Sequence, residues 1–185
     1  LPQLVSLHVP GQVKRVLSRE PAFAKTPKAV FRCRPIIVHQ LERTTFLRAE
    51  PEQVWSFFSD PRNLNALTPP EMHFEILGDP GPMREGQLIA YRIRILPGIR
   101  VSWLTEIRHV TPGVCFVDEQ RIGPYKLWYH EHRFEAVPGG VRMTDRVTYA
   151  VGFGPLGDLV HALWIRGKLR AIFDYRERQV ALHFG

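Results

Sequence analysis

The sequence predicts an α+β domain: a curved antiparallel sheet of about seven strands wrapped around one long C-terminal helix, with two short helices after the first strand. Three observations carry this expectation. Segments of alternating apolar and polar residues recur roughly every 8 to 14 residues, each bounded by Pro or Gly. A Pro-initiated stretch rich in Val, Trp and Phe follows the first of them. The chain then closes on a long segment whose apolar residues recur at helical spacing.

The first strand is read in "VHQLERTTFLRA", which alternates. In "EPEQVWSFFSD", Val54, Trp55, Phe57 and Phe58 cluster behind a Pro at the first helical turn, which gives a short helix. Asp60-Pro61 restarts the chain, and "RNLNALTPP" reads as a second short helix stopped by Pro69 and Pro70. Then come "MHFEILG", "GQLIAYRIRIL", "RVSWLTEIRHV", "VCFVDEQRI", "YKLWYHEHRFEAV" and "VRMTDRVTYAV". The breakers between them include Pro97-Gly98, Pro112-Gly113, Gly123-Pro124 and Pro138-Gly139-Gly140, so a meander on short turns is expected.

In the last segment, Leu156, Leu159, Val160, Leu163, Leu169, Ile172, Phe173 and Val180 alternate with Arg and Lys. At roughly 25 residues it would span about 40 Å, enough to cross a whole sheet. Gly167 in its middle is costly for a helix and is expected to mark a close approach. A straight helix against a strongly curved sheet leaves space between them.

The 185 residues carry 44% apolar and 23% charged residues, the composition of an ordinary soluble domain. No apolar run reaches the ~20 residues of a membrane helix. The formal net charge of +7 suggests an anionic partner until its location is read. Residues 1–38 hold seven basic residues against Glu20 alone, leaving 18 basic and 17 acidic in the remainder. The folded part is thus nearly neutral, and no nucleic acid is expected to bind through it. Residues 1–37 read as a basic, flexible N-terminal extension, and residues 38–183 as the domain. The first residue is not Met, so a trimmed or incomplete start is expected. Cys33 and Cys115 give neither a disulfide framework nor zinc spacing, which suits a reducing cytoplasm.

The element order, together with "FSDPRNLNALTPP", "GPYKLWYHEHRFE", "DRVTYAVGFGPLG" and "IFDYR", resembles the START-like helix-grip (SRPBCC) superfamily over about residues 38 to 182. Within it, the chain is similar to bacterial ligand-binding, polyketide cyclase- or dehydrase-like proteins. The resemblance implies the helix-grip fold, but that scaffold hosts transporters, receptors, cyclases and hydrolases, so the site must decide the function.

Alternation then assigns faces. On Tyr125 to Val137, the even positions Trp128, His130, His132 and Phe134 lack formal charge and are placed inward, whereas the odd positions include Glu131 and Arg133. On the next strand the odd positions Val141, Met143, Asp145, Val147 and Tyr149 are inward. A two- or four-residue loop at 137–140 joins an even inward face to an odd one and sets Trp128 opposite Tyr149, His130 opposite Val147 and His132 opposite Asp145. A contact between His132 and Asp145 inside the cavity is therefore expected. Phe116, Asp118 and Gln120 are placed on the inner face of the preceding strand, Trp103, Thr105 and Ile107 on that of the strand before it, and Phe173 on the helix.

Three readings of the cluster remain. Two imidazoles and a carboxylate resemble a metal ligand set, but His residues two apart on a strand lie about 6.5 Å apart with no further convergent ligand, so neither metal nor cofactor is expected. His132 and Asp145 also suit a general-base pair for a cyclase or dehydratase, although no nucleophile accompanies them. Trp103, Asp118, Gln120, Trp128, His130, His132, Asp145, Tyr149 and Phe173 together have the composition of a small-molecule pocket. The leading expectation is a non-enzymatic domain that binds a small hydrophobic or aromatic molecule. A regulatory protein-interaction domain with a filled core is the other alternative, its protein partner unknown. Gly152 to Gly157 reads as a sharp corner into the helix rather than a phosphate loop, and His39, His109 and His161 carry no assigned role.

Overall fold

The computed structural model describes residues 36–152 and 161–185, all within one compact unit. Strand β1 (His39–Leu47) alternates in burial along its length, as its sequence alternates. Helix α1 (Pro51–Phe58) begins at Pro51, and the Gln53 side-chain oxygen accepts the Glu50 backbone N–H at 3.3 Å, closing its first turn. Val54 and Phe58 form its buried stripe.

The second expected helix forms as a 3-10 helix over Pro61–Asn65, and a further 3-10 turn, Pro70–Met72, follows it. Asp60 starts the first by accepting the Arg62 backbone N–H at 3.0 Å. Two successive prolines at 69 and 70 remove two backbone donors and hold their predecessors extended, so no α-helix can run through them.

The sheet continues with β2 (Glu75–Ile76), β3 (Leu88–Leu96), β4 (Ile99–Thr111), β5 (Cys115–Ile122), β6 (Leu127–Val137) and β7 (Gly140–Ala150). Its seven strands follow the order β1-β7-β6-β5-β4-β3-β2, a meander whose first strand returns to pair with the last. Every pair is antiparallel, and β6 meets β7 in the expected register, with Trp128 opposite Tyr149 and His132 opposite Asp145. Register shifts between Arg94 and Leu96 in β3, and between Leu104 and Thr105 and between Arg108 and Thr111 in β4, add the local twist that a curved sheet needs.

After a π-type turn at His161–Ile165, helix α2 (Arg166–Phe184) lays Leu169, Phe173 and Val180 against the sheet. Val180 joins Leu47, Val54, Phe58, Phe134 and Met143 in one core cluster, and Leu169 and Phe173 join Val147 and Tyr149 in another. A third, of Met72, Ile93 and Trp103, sits on the β3–β4 side. Two helical expectations are corrected. Leu163 is 78% exposed, so the apolar stripe does not extend to it. Gly167 marks no close approach, since a Cβ there would meet nothing within 4 Å. Leu156, Leu159, Val160 and the corner at 153–157 lie outside the described residues, as does the extension up to residue 35. Among the described residues no helix is long and apolar enough to cross a membrane.

Candidate functional site

Between the sheet and α2 lies a cavity of about 220 Å³. The period of two aims alternate residues of each strand into it. Strand β3 contributes Ile89, Tyr91, Ile93 and Ile95, β4 contributes Trp103, Thr105 and Ile107, β5 contributes Asp118, and β6 contributes Trp128 and His130. Helix α2 adds Lys168, Leu169, Ile172, Phe173 and Arg176, whose spacing is that of one helix face.

One wall is aromatic. Tyr91 stacks on Trp103 with ring centroids 5.8 Å apart and an 18° interplanar angle. Trp128 meets Trp103 edge-on at 5.3 Å and lies 4.9 Å from Tyr125. The Tyr91 hydroxyl lies 3.1 Å from the Thr105 hydroxyl, and burial pushes the pKa values of both Tyr91 and Tyr125 up, which keeps them phenols.

At the other pole, His130 Nε2 lies 2.9 Å from Asp145 Oδ1, His132 Nδ1 lies 2.7 Å from the same oxygen, and His132 Nε2 lies 3.1 Å from Asp118 Oδ2. His130, His132 and Asp145 are 5%, 1% and 6% exposed, so water cannot substitute for these contacts. Arg176 approaches from α2 with its Nε 3.6 Å from Asp145 Oδ2. Two ring nitrogens facing two carboxylates at these distances each need a proton, because a lone pair against a carboxylate oxygen would be repelled. These contacts favour the imidazolium form of His132, whose Nδ1 also has Arg176 Nη2 3.5 Å away. Burial is the largest influence on it and acts to lower its pKa, but Asp118 and Asp145 outweigh burial and raise it.

His130 behaves oppositely. Burial, reinforced by the charge on His132, pushes its pKa down to about 4 despite Asp145, so the ring is neutral at pH 7 and gives its Nε2 hydrogen to Asp145. Burial would raise Asp145, but Arg176 and both histidines carry it well below the carboxylate range. Asp118 is likewise lowered against burial, chiefly by its hydrogen bond from His132. The pole thus holds two negative groups, Asp118 and Asp145, against two positive ones, His132 and Arg176.

The structure divides the expected site residues. Trp103, Asp118, Trp128, His130 and Phe173 line the cavity. His132 sits behind His130, its ring centroid 3.9 Å away, and faces a smaller recess shared with Asp118 and Arg176. Asp145 lies beneath both histidines, and Tyr149 packs into the core with Val147, Leu169 and Phe173. Gln120 is taken up by the β5–β6 turn, where its side chain donates to Tyr125 O at 2.7 Å and accepts from Tyr125 N at 3.3 Å. Tyr91, Tyr125 and Arg176 were not among the expected residues. The odd face of β3 carried the signal for Tyr91, and Arg176 stands three residues after Phe173, on the same helix face.

Asp118, His130 and His132 each bring one possible ligand atom within 4.8 Å of the others. Holding a metal there would require His132 to surrender a proton it shares with two carboxylates, and the ion would sit beside Arg176. The residues fit a proton-held network better than a metal centre.

Residues 38–176 match the family described as polyketide cyclase / dehydrase and lipid transport. None of the curated proteins matches the chain. Among solved structures, a protein from Chromobacterium violaceum is 17% identical with a TM-score of 0.60, covering 79% of this chain and 97% of its own. One from Thermus thermophilus is 18% identical with a TM-score of 0.56, covering 80% and 100%. A point mutant of norcoclaurine synthase from Thalictrum, in complex with a transition-state analogue, is 16% identical with a TM-score of 0.55, covering 82% and 99%. At these identities the likeness is one of fold alone, the helix-grip fold.

Proposed function

The chain belongs to the polyketide cyclase/dehydrase and lipid transport family, and from that premise we propose that it binds a small, largely apolar molecule of aromatic size between the sheet and α2. The observation that carries the reading is the cavity of about 220 Å³, with Tyr91, Trp103, Tyr125 and Trp128 at one wall and a few fixed polar groups at the other end. Pockets for drug-sized ligands run from about 300 Å³ upward, so one or two fused rings suit this one. Residues 38–183 are taken as the binding domain and residues 1–37 as an extension to it. The cavity argues against a filled core.

A second reading, catalysis, draws on the Asp145 carboxylate 2.9 Å from His130 Nε2, the arrangement that orients a general base. Of the two histidines, His130 is the one that lines the cavity, and His132 has both ring nitrogens taken up by Asp118, Asp145 and Arg176. A pKa of about 4 makes His130 a weak base, which favours binding over proton abstraction.

Uptake of the neutral fluorophore N-phenyl-1-naphthylamine, with native mass spectrometry of the purified protein for a retained small molecule, tests the reading. Saturable one-to-one uptake supports it. Neither uptake nor a retained molecule would discard it.

A further inference from the structure

Resting on the binding reading above, we propose that the ligand presents a neutral hydroxyl to the Asp118–His130 pole, and that molecules carrying a carboxylate are rejected there. The pole is electrically balanced before any ligand arrives. His132 is held between Asp145 at 2.7 Å and Asp118 at 3.1 Å, and Arg176 lies 3.6 Å from Asp145. Each cation already faces a carboxylate, although Arg176 Nε itself makes no hydrogen bond among the described residues, so a ligand carboxylate would enter beside two existing ones and leave the pole with a net negative charge. An unpaired buried charge is among the costliest groups a protein can hold.

Beside the Arg176 guanidinium, the pole offers two acceptors. Asp118 uses Oδ2 for His132, and among the described residues its Oδ1 has no protein partner, while the residue lines the cavity. His130 donates through Nε2 to Asp145, so its Nδ1 is a lone-pair acceptor, and it too has no protein partner among the described residues. Two neighbouring acceptors call for an O–H donor. The remaining cation of the lining, Lys168, stands eight residues before Arg176 on α2, about 12 Å along the helix axis, too far to neutralise an anion at this pole.

Isothermal titration of the full chain at pH 7 with naphthalene, 2-naphthol, 2-naphthoate and 2-(aminomethyl)naphthalene tests this. The naphthol is expected to bind about 10- to 100-fold tighter than naphthalene, the gain of a hydrogen bond to a charged acceptor. The naphthoate is expected to bind more weakly than naphthalene, and the ammonium compound no tighter than the naphthol. Asp118→Asn, which leaves the pole with a net positive charge, should shrink the naphthol advantage and improve naphthoate binding. Naphthoate or the ammonium compound outranking naphthol on the unmodified chain would overturn the proposal, as would naphthol binding no tighter than naphthalene. Naphthoate binding that disappears in Lys168→Met would also overturn it, by locating an anion site elsewhere in the cavity. If N-phenyl-1-naphthylamine is taken up while these preferences fail, only the hydroxyl preference falls. If no compound binds, the cavity reading falls with it.

Discussion

His132 stands directly across the β6–β7 ladder from Asp145, its Nδ1 2.7 Å from the carboxylate oxygen, with 1% of the residue exposed. Replacing Asp145 by Asn therefore leaves a buried imidazolium with half its compensation and takes the acceptor from His130. The expected cost is about 3–5 kcal/mol of unfolding free energy, measured by urea denaturation at pH 7. Asp118→Asn should cost less, because the Asp118 side chain is 18% exposed to the cavity side. Equal costs would mean that the two carboxylates share the load evenly.

The two histidines should give opposite pH dependences. His130 has its pKa pushed down to about 4, so its contribution is complete above the unfolded value near 6.5 and is lost as pH falls towards 4. The loss is on the order of 3 kcal/mol. His132 has its pKa raised, so its contribution is complete below about 6.5 and is lost as pH rises through its folded value. Below pH 4 the lowered Asp118 and Asp145 add a further loss as they protonate. Denaturation curves from pH 3 to 8, repeated on His130→Gln, check this, since the substitution should flatten the slope between pH 6.5 and 4.

Trp103 and Trp128 both line the cavity, so uptake of N-phenyl-1-naphthylamine should quench tryptophan emission by energy transfer. Trp128→Ala removes the ring that bridges Trp103 and Tyr125 and should weaken uptake about tenfold or more, with Trp128→Phe intermediate. Unchanged affinity in Trp128→Ala would place the probe outside this cavity.

Gly140 ends the β6–β7 turn, where a Cβ would collide with the Leu47 backbone carbonyl of β1. Backbone cannot swing aside as a side chain can, so Gly140→Ala should cost about 1–3 kcal/mol by overpacking. Gly98 has a φ of 77° but open space around it, so Gly98→Ala should cost about 1–2 kcal/mol from its left-handed backbone alone. Thermal unfolding of both variants compares them.

The β6–β7 hairpin was legible because both of its determinants are local. Alternation told which residues point inward, and Pro138-Gly139 limited the loop, so the pairing of His132 with Asp145 followed. The second short helix does form ahead of the two prolines at 69 and 70, but as a 3-10 helix over Pro61–Asn65, a distinction that start and stop signals do not make. Tyr91 was missed although its signal is local, since Ile89, Tyr91, Ile93 and Ile95 share one face of β3 and all line the cavity.

Taken alone, the sequence determined the order of elements, the helix-grip architecture and the inward face of each central strand, because strand period and turn chemistry act over a few residues. Only the tertiary structure decided that His132 is shared by Asp145 and Asp118, that His130 rather than His132 meets the cavity, and that Gln120 serves a turn. It also decided that Arg176 closes the charge balance. These outcomes depend on diagonal reach between strands and on how α2 is rotated against the sheet. Residues far apart in the chain set both, and no periodicity encodes them.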